Sequence, residues 1–354
     1  MAPSPDFHET FTVRLPTHSE GGETIVRVTR DGGSERMKDR FAWRIGVVAG
    51  GVALLVTAGA AAGTQPTAKA VSGTITADGS STVGPFTSSA AELFRRSNRG
   101  ANITVGISGT GGGFERFCKG ETDLANASRP IRYSEAARCQ TAGIRYIQFL
   151  VANDGLSVVV NRSNTWANCL TVAELKRIWD RGSNISNWNQ VRDSFPNERL
   201  SLFGAGTDSG TFDFFTEVIN GRSRQSRSDY TATEDDNVTV RGVEGNRGAM
   251  GYFGYSYYVE NKNRLKVLRV DGGNGCVAPN IQTVQNRSYK PLSRPLFIYV
   301  KRESFRKPVV AAFIRYTIQN EKRIATRARF ISLTKKQLAK ATRQYNTAIA
   351  NRNR

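Results

Sequence analysis

Three short stretches carry the residues best suited to chemistry in this 354-residue chain: GSSTVGPF at 79–86, ISGTGGGF at 107–114 and GTDSGTFDFF at 206–215. Each sets serine and threonine hydroxyls among glycines, with apolar residues at helical spacing just behind. Hydroxyls and glycine backbone are poor nucleophiles without a base. They are good hydrogen-bond donors, and a loop that opens a helix also presents free backbone N–H groups. The chemistry available is therefore the binding of an anion by neutral donors at helix N-termini.

The elements that must position these donors are legible beside them. Apolar, β-prone runs precede each loop: GTITA (73–77), NITVGI (102–107) and RLSLFG (199–204). The unit is strand, small-residue loop, helix, three times over, which predicts an α/β chain. Residues 1–40 are polar, of mixed charge and without periodicity. From Trp43 the sequence reads as a secretory signal: a basic flank, an apolar run from Ile45 to about Ala62, and Ala68-Lys69-Ala70 as a small-residue end. A retained N-terminal anchor is the alternative, and Met37 opens a more ordinary signal start than Met1. The expected location is the periplasm or the extracytoplasmic cell surface.

All four cysteines (Cys118, Cys139, Cys169, Cys276) follow that segment, and four in an exported chain suggest two disulfides. Three pairings are open. The local choice is Cys118–Cys139, which leaves Cys169–Cys276; buried free thiols are the alternative. Residues 71–354 carry 42 Lys/Arg against 23 Asp/Glu, a net +19, and residues 301–354 alone carry 15 against 2. Such a basic end is either a solvated face or an attraction for anionic envelope polymers or solutes. Nucleic acid is not expected, since export argues against it and no nucleic-acid motif is present.

Several function classes drop out. The two histidines, His8 and His18, both precede the signal, so Ser-His-Asp and Cys-His hydrolysis and most transition-metal sites are unsupported. No C-x-x-C and no Walker A motif occurs. No enzyme, cofactor or metal is expected.

Set in order, GSSTVGPF, ISGTGGGFERFCKGETDLANASRPI, GTDSGTFDFF, GAMGYFGYSYY and YKPLSRPLFIYV resemble the substrate-binding protein of the phosphate ABC transporter, the PstS family, over roughly residues 73–340. The branch is the one with ASRPI and paired cysteines. The resemblance implies a two-lobed periplasmic-binding-protein fold (type II) with the ligand in the interlobe cleft, lobe one at 71–157 plus 291–354 and lobe two at 158–290. It implies an exported monomer that hands inorganic phosphate to an ABC permease of the inner membrane. By family position the ligand set is Ser81 and Thr82 from the first loop; Thr110, Gly111 and Ser128; and Ser209, Gly210 and Thr211 from the third loop.

Two positions depart from the family pattern. Arg129 stands where some members have Asp, and Ala205 where they have Arg. Arg129 is then the expected bidentate donor, or else the partner of a carboxylate such as Asp123. Asp208 is the nearest substitute for the missing acceptor, or else a helix cap. That acceptor matters because phosphate carries a proton at neutral pH and sulfate does not. Tyr252, Phe253, Tyr255, Tyr257 and Tyr258 read as core rather than a stacking platform, as do Trp166, Trp179 and Trp188. Competing readings are a binding protein for another oxyanion, a phosphate sensor, or an envelope-interaction protein using the basic surface.

Overall fold

The computed structural model describes residues 11–13, 26–28 and 70–352. The chain divides into two compact units, residues 1–65 and 66–354. In the first, β1 (Phe11–Val13) pairs antiparallel with β2 (Val26–Val28), an element the polar arm did not announce. The signal-like segment lies outside the described residues. Among the described residues no helix is long and apolar enough to cross a membrane.

The second unit opens with three strand–helix repeats: β3 (Gly73–Gly79) and α1 (Gly84–Arg95), β4 (Ala101–Val105) and α2 (Gly109–Cys118), β5 (Leu124–Ala127) and α3 (Tyr133–Thr141). Parallel pairing of β3 with β4 and β5 sends all three loops to one end of the sheet. Next comes β6 (Tyr146–Asn161), then β7 (Cys169–Thr171) and α4 (Val172–Trp179). A second run follows with β8 (Ser201–Ala205), α5 (Gly210–Phe215), β9 (Thr231–Thr233), α6 (Asp236–Glu244), β10 (Ala249–Gly254) and α7 (Tyr255–Asn261). The short strands β11 (Leu265–Val267), β12 (Arg269–Asp271) and β13 (Cys276–Val277) lead through α8 (Ile281–Gln285) to β14 (Ser293–Lys301). Three helices close the chain: α9 (Pro308–Gln319), α10 (Glu321–Arg327) and α11 (Lys335–Ala350). Pro308 starts α9 with the φ a first helical turn needs, and Thr334 caps α11 through the Gln337 N–H.

The main sheet runs β4-β3-β5-β14-β6-β10-β8-β9, with β11 also on β6. The long strand β6 is its spine. Antiparallel β14 pairs with residues 146–155 of β6, and antiparallel β10 and β11 pair with the remainder. Every residue of β6 from Val151 onward is buried, which explains its near-continuous apolar run. Two cores change over on this strand. Phe149, Val151 and Ala152 pack with α1, α9 and the outer half of β14. Leu156, Val158 and Val160 pack with Trp179, Trp188, Phe215 and Tyr252. Ile331 joins the second core although its neighbour Phe330 packs on the first. The aromatics fill it: Tyr252 stacks on Phe215 at 3.8 Å between ring centroids, and Trp166 meets Trp188 edge-on at 5.8 Å. Tyr255, Tyr257 and Tyr258 of α7 are half-buried beside these cores.

Both disulfides are present. Cys118–Cys139 joins the end of α2 to α3, and Cys169–Cys276 joins β7 to β13 across 107 residues of chain. Closing a loop of that length removes much of the unfolded chain's freedom.

Glu321 opens α10 fully buried, and its carboxyl accepts from the Leu333 N–H at 2.9 Å. Burial raises its pKa from 4.5 to about 7. The folded state therefore holds a proton that the unfolded state has released between pH 4.5 and 7, and stability falls as pH rises through that window. Glu321→Gln keeps the acceptor and removes the titration. Urea unfolding from pH 4.5 to 7 should show the variant's slope less negative than wild type by up to about 1.4 kcal/mol per pH unit. Equal slopes refute it.

Candidate functional site

The ends of β3 and β4 are locked together by one buried carboxylate. Asp78 Oδ1 accepts from the Gly79 N–H at 2.7 Å and the Ser108 N–H at 3.1 Å, while Oδ2 takes Arg116 Nη1 at 2.6 Å. The first two loops are thereby held side by side. Gly113 completes the fit: a Cβ there would lie 2.4 Å from Gly79 Cα, so its role is helix–strand contact rather than anion contact. Thr110 Oγ1 meets Ser128 Oγ at 3.1 Å and also accepts the Ser128 N–H, joining the second loop to the end of β5.

A cavity of about 250 Å³ lies beside these loops. Ser81, Thr82, Thr110, Gly111, Ser128 and Arg129, six of the ten expected ligand residues, line it. Ser209 and Thr211 do not; they line a second cavity of about 190 Å³ on the far side of Ser81 and Thr82. Gly210 lines that second cavity too, and its carbonyl accepts from Thr82 Oγ1 at 3.2 Å. The contact requires glycine, since a Cβ at 210 would sit 2.6 Å from Thr82 Oγ1. The three loops thus meet, but the third turns an acceptor toward the first, and its donors face the other cavity.

Two expected roles are corrected. Asp208 is exposed and lines neither cavity; its N–H donates to Glu234 Oε1. The cap of α5 is Ser209, whose hydroxyl accepts the Thr211 N–H at 3.1 Å. Arg129 lines the first cavity, yet its guanidinium is held bidentately by Glu135, both bonds 2.8 Å. Asp123 is occupied instead by Lys307 and Ser304. Glu135 was hidden because it acts through the turn that opens α3, where it also accepts the Arg132 N–H. That guanidinium holds the Glu135 carboxyl below its ordinary range despite burial.

The charged groups that sequence reading missed are Arg294 and Asp154. They stand directly opposite each other on β14 and β6, where the two cores change over. Arg294 Nε donates to Asp154 Oδ2 at 3.0 Å, and both side chains are 8% exposed. Nη2 donates to Thr82 Oγ1 at 2.7 Å and reaches the Gly210 carbonyl at 3.4 Å. The guanidinium lies 3.7 Å from the Phe214 ring. Burial lowers its pKa and Asp154 opposes the fall, so it stays a cation. One signal was available: SRPLFIYV and VANDGLSVVV each break an apolar strand with a single charge, and buried charges come in pairs.

Electrostatics separate the two cavities. The first gathers Arg129, Arg132 and Arg294 together with Asp213 and Glu217. Arg132 and Glu217 approach within 3.9 Å. Asp213 sits 3.5 Å from Ser81 Oγ and 3.4 Å from Arg224, and burial raises its pKa. The second gathers Asp154 and Asp236 against Arg329. Burial pushes Asp236 up to about 6. An anion is favoured in the first.

A profile of the PBP superfamily domain matches residues 64–321. The chain is 48% identical over 276 residues to protein SphX of Synechococcus elongatus, covering 77% of this chain and 81% of that one. It is 35% identical over 299 residues to the phosphate-binding protein PstS of Staphylococcus saprophyticus, covering 83% and 91%. The chain belongs to the PstS family. A crystal structure of a possible phosphate binding protein from Planctomyces limnophilus matches this PstS-family chain with a TM-score of 0.77 and 46% identity, covering 79% of it and all of that chain. A phosphate transport receptor from Vibrio cholerae shares the fold at a TM-score of 0.58. The two-lobe α/β fold expected from the motifs is the family's fold.

Arg294→Met should leave Asp154 buried without its cation and destabilise the protein by about 3–5 kcal/mol. The double variant Arg294→Met/Asp154→Leu should recover most of that loss. Chemical unfolding of the two single variants and the double variant measures the coupling, and additive losses would refute it.

Proposed function

We propose that the first cavity binds inorganic phosphate and that the protein delivers it to an ABC permease without altering it. The observation that carries this reading is the convergence on one cavity of the hydroxyls of Ser81, Thr82, Thr110 and Ser128 with the buried guanidinium of Arg294. The curated relatives named for phosphate support the choice of anion. The N-terminal turn of α2, opened by Gly109 and Thr110, adds unpaired N–H groups at the same wall.

In this reading Arg294 supplies the positive charge that Ala205 cannot. Its Nε is committed to Asp154 and its Nη2 to Thr82, and Nη1 takes no acceptor among the described residues. Arg129, gripped by Glu135, serves as a fixed positive wall. Lobe one comprises residues 71–157 and 291–354 and lobe two residues 158–290; the anion draws them together, with Asp213 and Glu217 contributed by lobe two. The protein works as an exported monomer, and its basic C-terminal face is drawn to anionic envelope polymers.

Asp213 takes the role that Asp208 was expected to fill. Its carboxylate lines the cavity, with Ser81 and Arg224 as its side-chain partners among the described residues and Arg294 and Glu217 acting on it through charge. An ionised acceptor there receives the phosphate proton and repels sulfate, which has none to give. As pH falls through its raised pKa the acceptor is protonated, and discrimination narrows. Calorimetric titration of the protein with phosphate, and with sulfate as competitor, tests both claims. Wild type should bind phosphate against excess sulfate. Asp213→Asn should lose about tenfold in that preference. Equal binding of the two anions by wild type would keep the fold and remove the phosphate assignment.

A further inference from the structure

Three cations of the basic C-terminal segment line one groove. After β14 the chain makes a 3₁₀ turn (Arg302–Arg306), and this turn, the start of β6 and α11 enclose a groove of about 330 Å³. Arg302, Lys340 and Arg343 line it together with Gln344 and the apolar side chains of Ile147 and Ala348. It shares no lining residue with the proposed phosphate cavity and is wider open. Lys340, Arg343, Gln344 and Thr347 follow the spacing of one helix stripe, so α11 turns a single face into it. The walls are anchored: Gln344 Nε2 donates to the Gln148 carbonyl at 3.0 Å, and the Arg302 N–H donates to the Arg145 carbonyl at 2.8 Å.

These three cations differ from those that lie buried or line the proposed phosphate cavity. Arg129, Arg294 and Arg227 each hold a carboxylate. Arg302, Lys340 and Arg343 have none within 4.0 Å among the described residues. Arg302 Nε is in addition buried and has no acceptor among the described residues. A sealed donor without an acceptor is rare in folded proteins. Three unpaired cations with an apolar wall between them specify an anionic group that carries an aliphatic neighbour.

We infer that this groove is a second anion site, which takes a phosphodiester with a short aliphatic flank of the glycerophosphodiester type. A guanidinium fork matches two phosphate oxygens, and half-buried Ile147 supplies apolar surface for the flank. The open groove leaves room for a substituent on each side of the phosphorus, which inorganic phosphate would not use. The inference does not depend on the cleft reading and stands if that reading fails.

Residues 66–354 form a compact unit holding every hydrophobic cluster, and this fragment avoids the apolar N-terminal segment when vesicles are used. It is titrated with soluble glycerophosphoglycerol, and separately with phosphatidylcholine vesicles with and without phosphatidylglycerol. The variants are Arg302→Gln/Lys340→Gln/Arg343→Gln and the charge-matched Arg181→Gln/Arg241→Gln/Lys262→Gln. Binding should fall about tenfold or more in the first and less than about twofold in the second. A signal with the soluble diester identifies a free phosphodiester, whereas binding only to phosphatidylglycerol vesicles identifies a lipid headgroup. No binding of either probe by the unmodified fragment, or equal losses in both variants, overturns the site. Calorimetry with inorganic phosphate on the same variants reports the cleft separately, and their thermal unfolding shows whether the fold survives. Lys340→Gln/Arg343→Gln, which changes exposed side chains only, repeats the test should the triple variant fail to fold.

Discussion

The buried pair of Asp154 and Arg294 is the constraint on which the rest of this molecule turns. Each charge alone would be ruinous on strands this thoroughly buried, and the pair gains little over two apolar residues of the same size. Its justification is positional. The two residues face each other on β6 and β14 at the point where one hydrophobic core gives way to the other. A guanidinium fixed there reaches Thr82 on one side and the Gly210 carbonyl on the other. The first and third loops lie far apart in sequence, and this one side chain brings them into register. Without the carboxylate behind it, Arg294 would have no reason to stay in so dry a place.

The third loop shows how a local pattern can be right about an element and incomplete about its task. Ser209 caps the helix and Gly210 permits the close approach, both as their residue types suggest. Yet α5 runs only six residues before it passes into a π-helical turn, and its first carbonyl is drawn toward Arg294. A strong buried cation competes for any nearby acceptor. Donors of the third loop therefore face the second cavity, which Asp154 and Asp236 make unwelcoming to an anion.

What could be read from the sequence was whatever is encoded locally. The strand–loop–helix units, the six hydroxyl, glycine and arginine positions of the first cavity, the aromatic core and the local disulfide each rest on residues close in the chain. What could not be read rests on register. Arg294 and Asp154 are 140 residues apart, and their facing depends on how β14 lies against β6. Glu135 takes Arg129 from a helix start six residues on, where nothing in the pattern marks it above Asp123. Asp208 was favoured by its place beside Ser209, but a residue ahead of a capped helix points outward, whereas Asp213, four residues past the cap, lies on the side of α5 turned to the cavity.

In the proposed reading, Asp213 gives the cavity an acceptor as well as donors. A site of hydroxyls, N–H groups and one guanidinium stabilises any small oxyanion of suitable size, since neutral donors do not distinguish sulfur from phosphorus. A carboxylate among those donors weakens the net attraction for every anion and restores it only for one that can give back a hydrogen bond. Partial burial strengthens both halves of that bargain, because screening is poorer there and an unpaired oxygen costs more. The raised pKa of Asp213 records that same environment: the desolvation that makes its charge uncomfortable in the folded state makes a proton from the ligand more valuable to it.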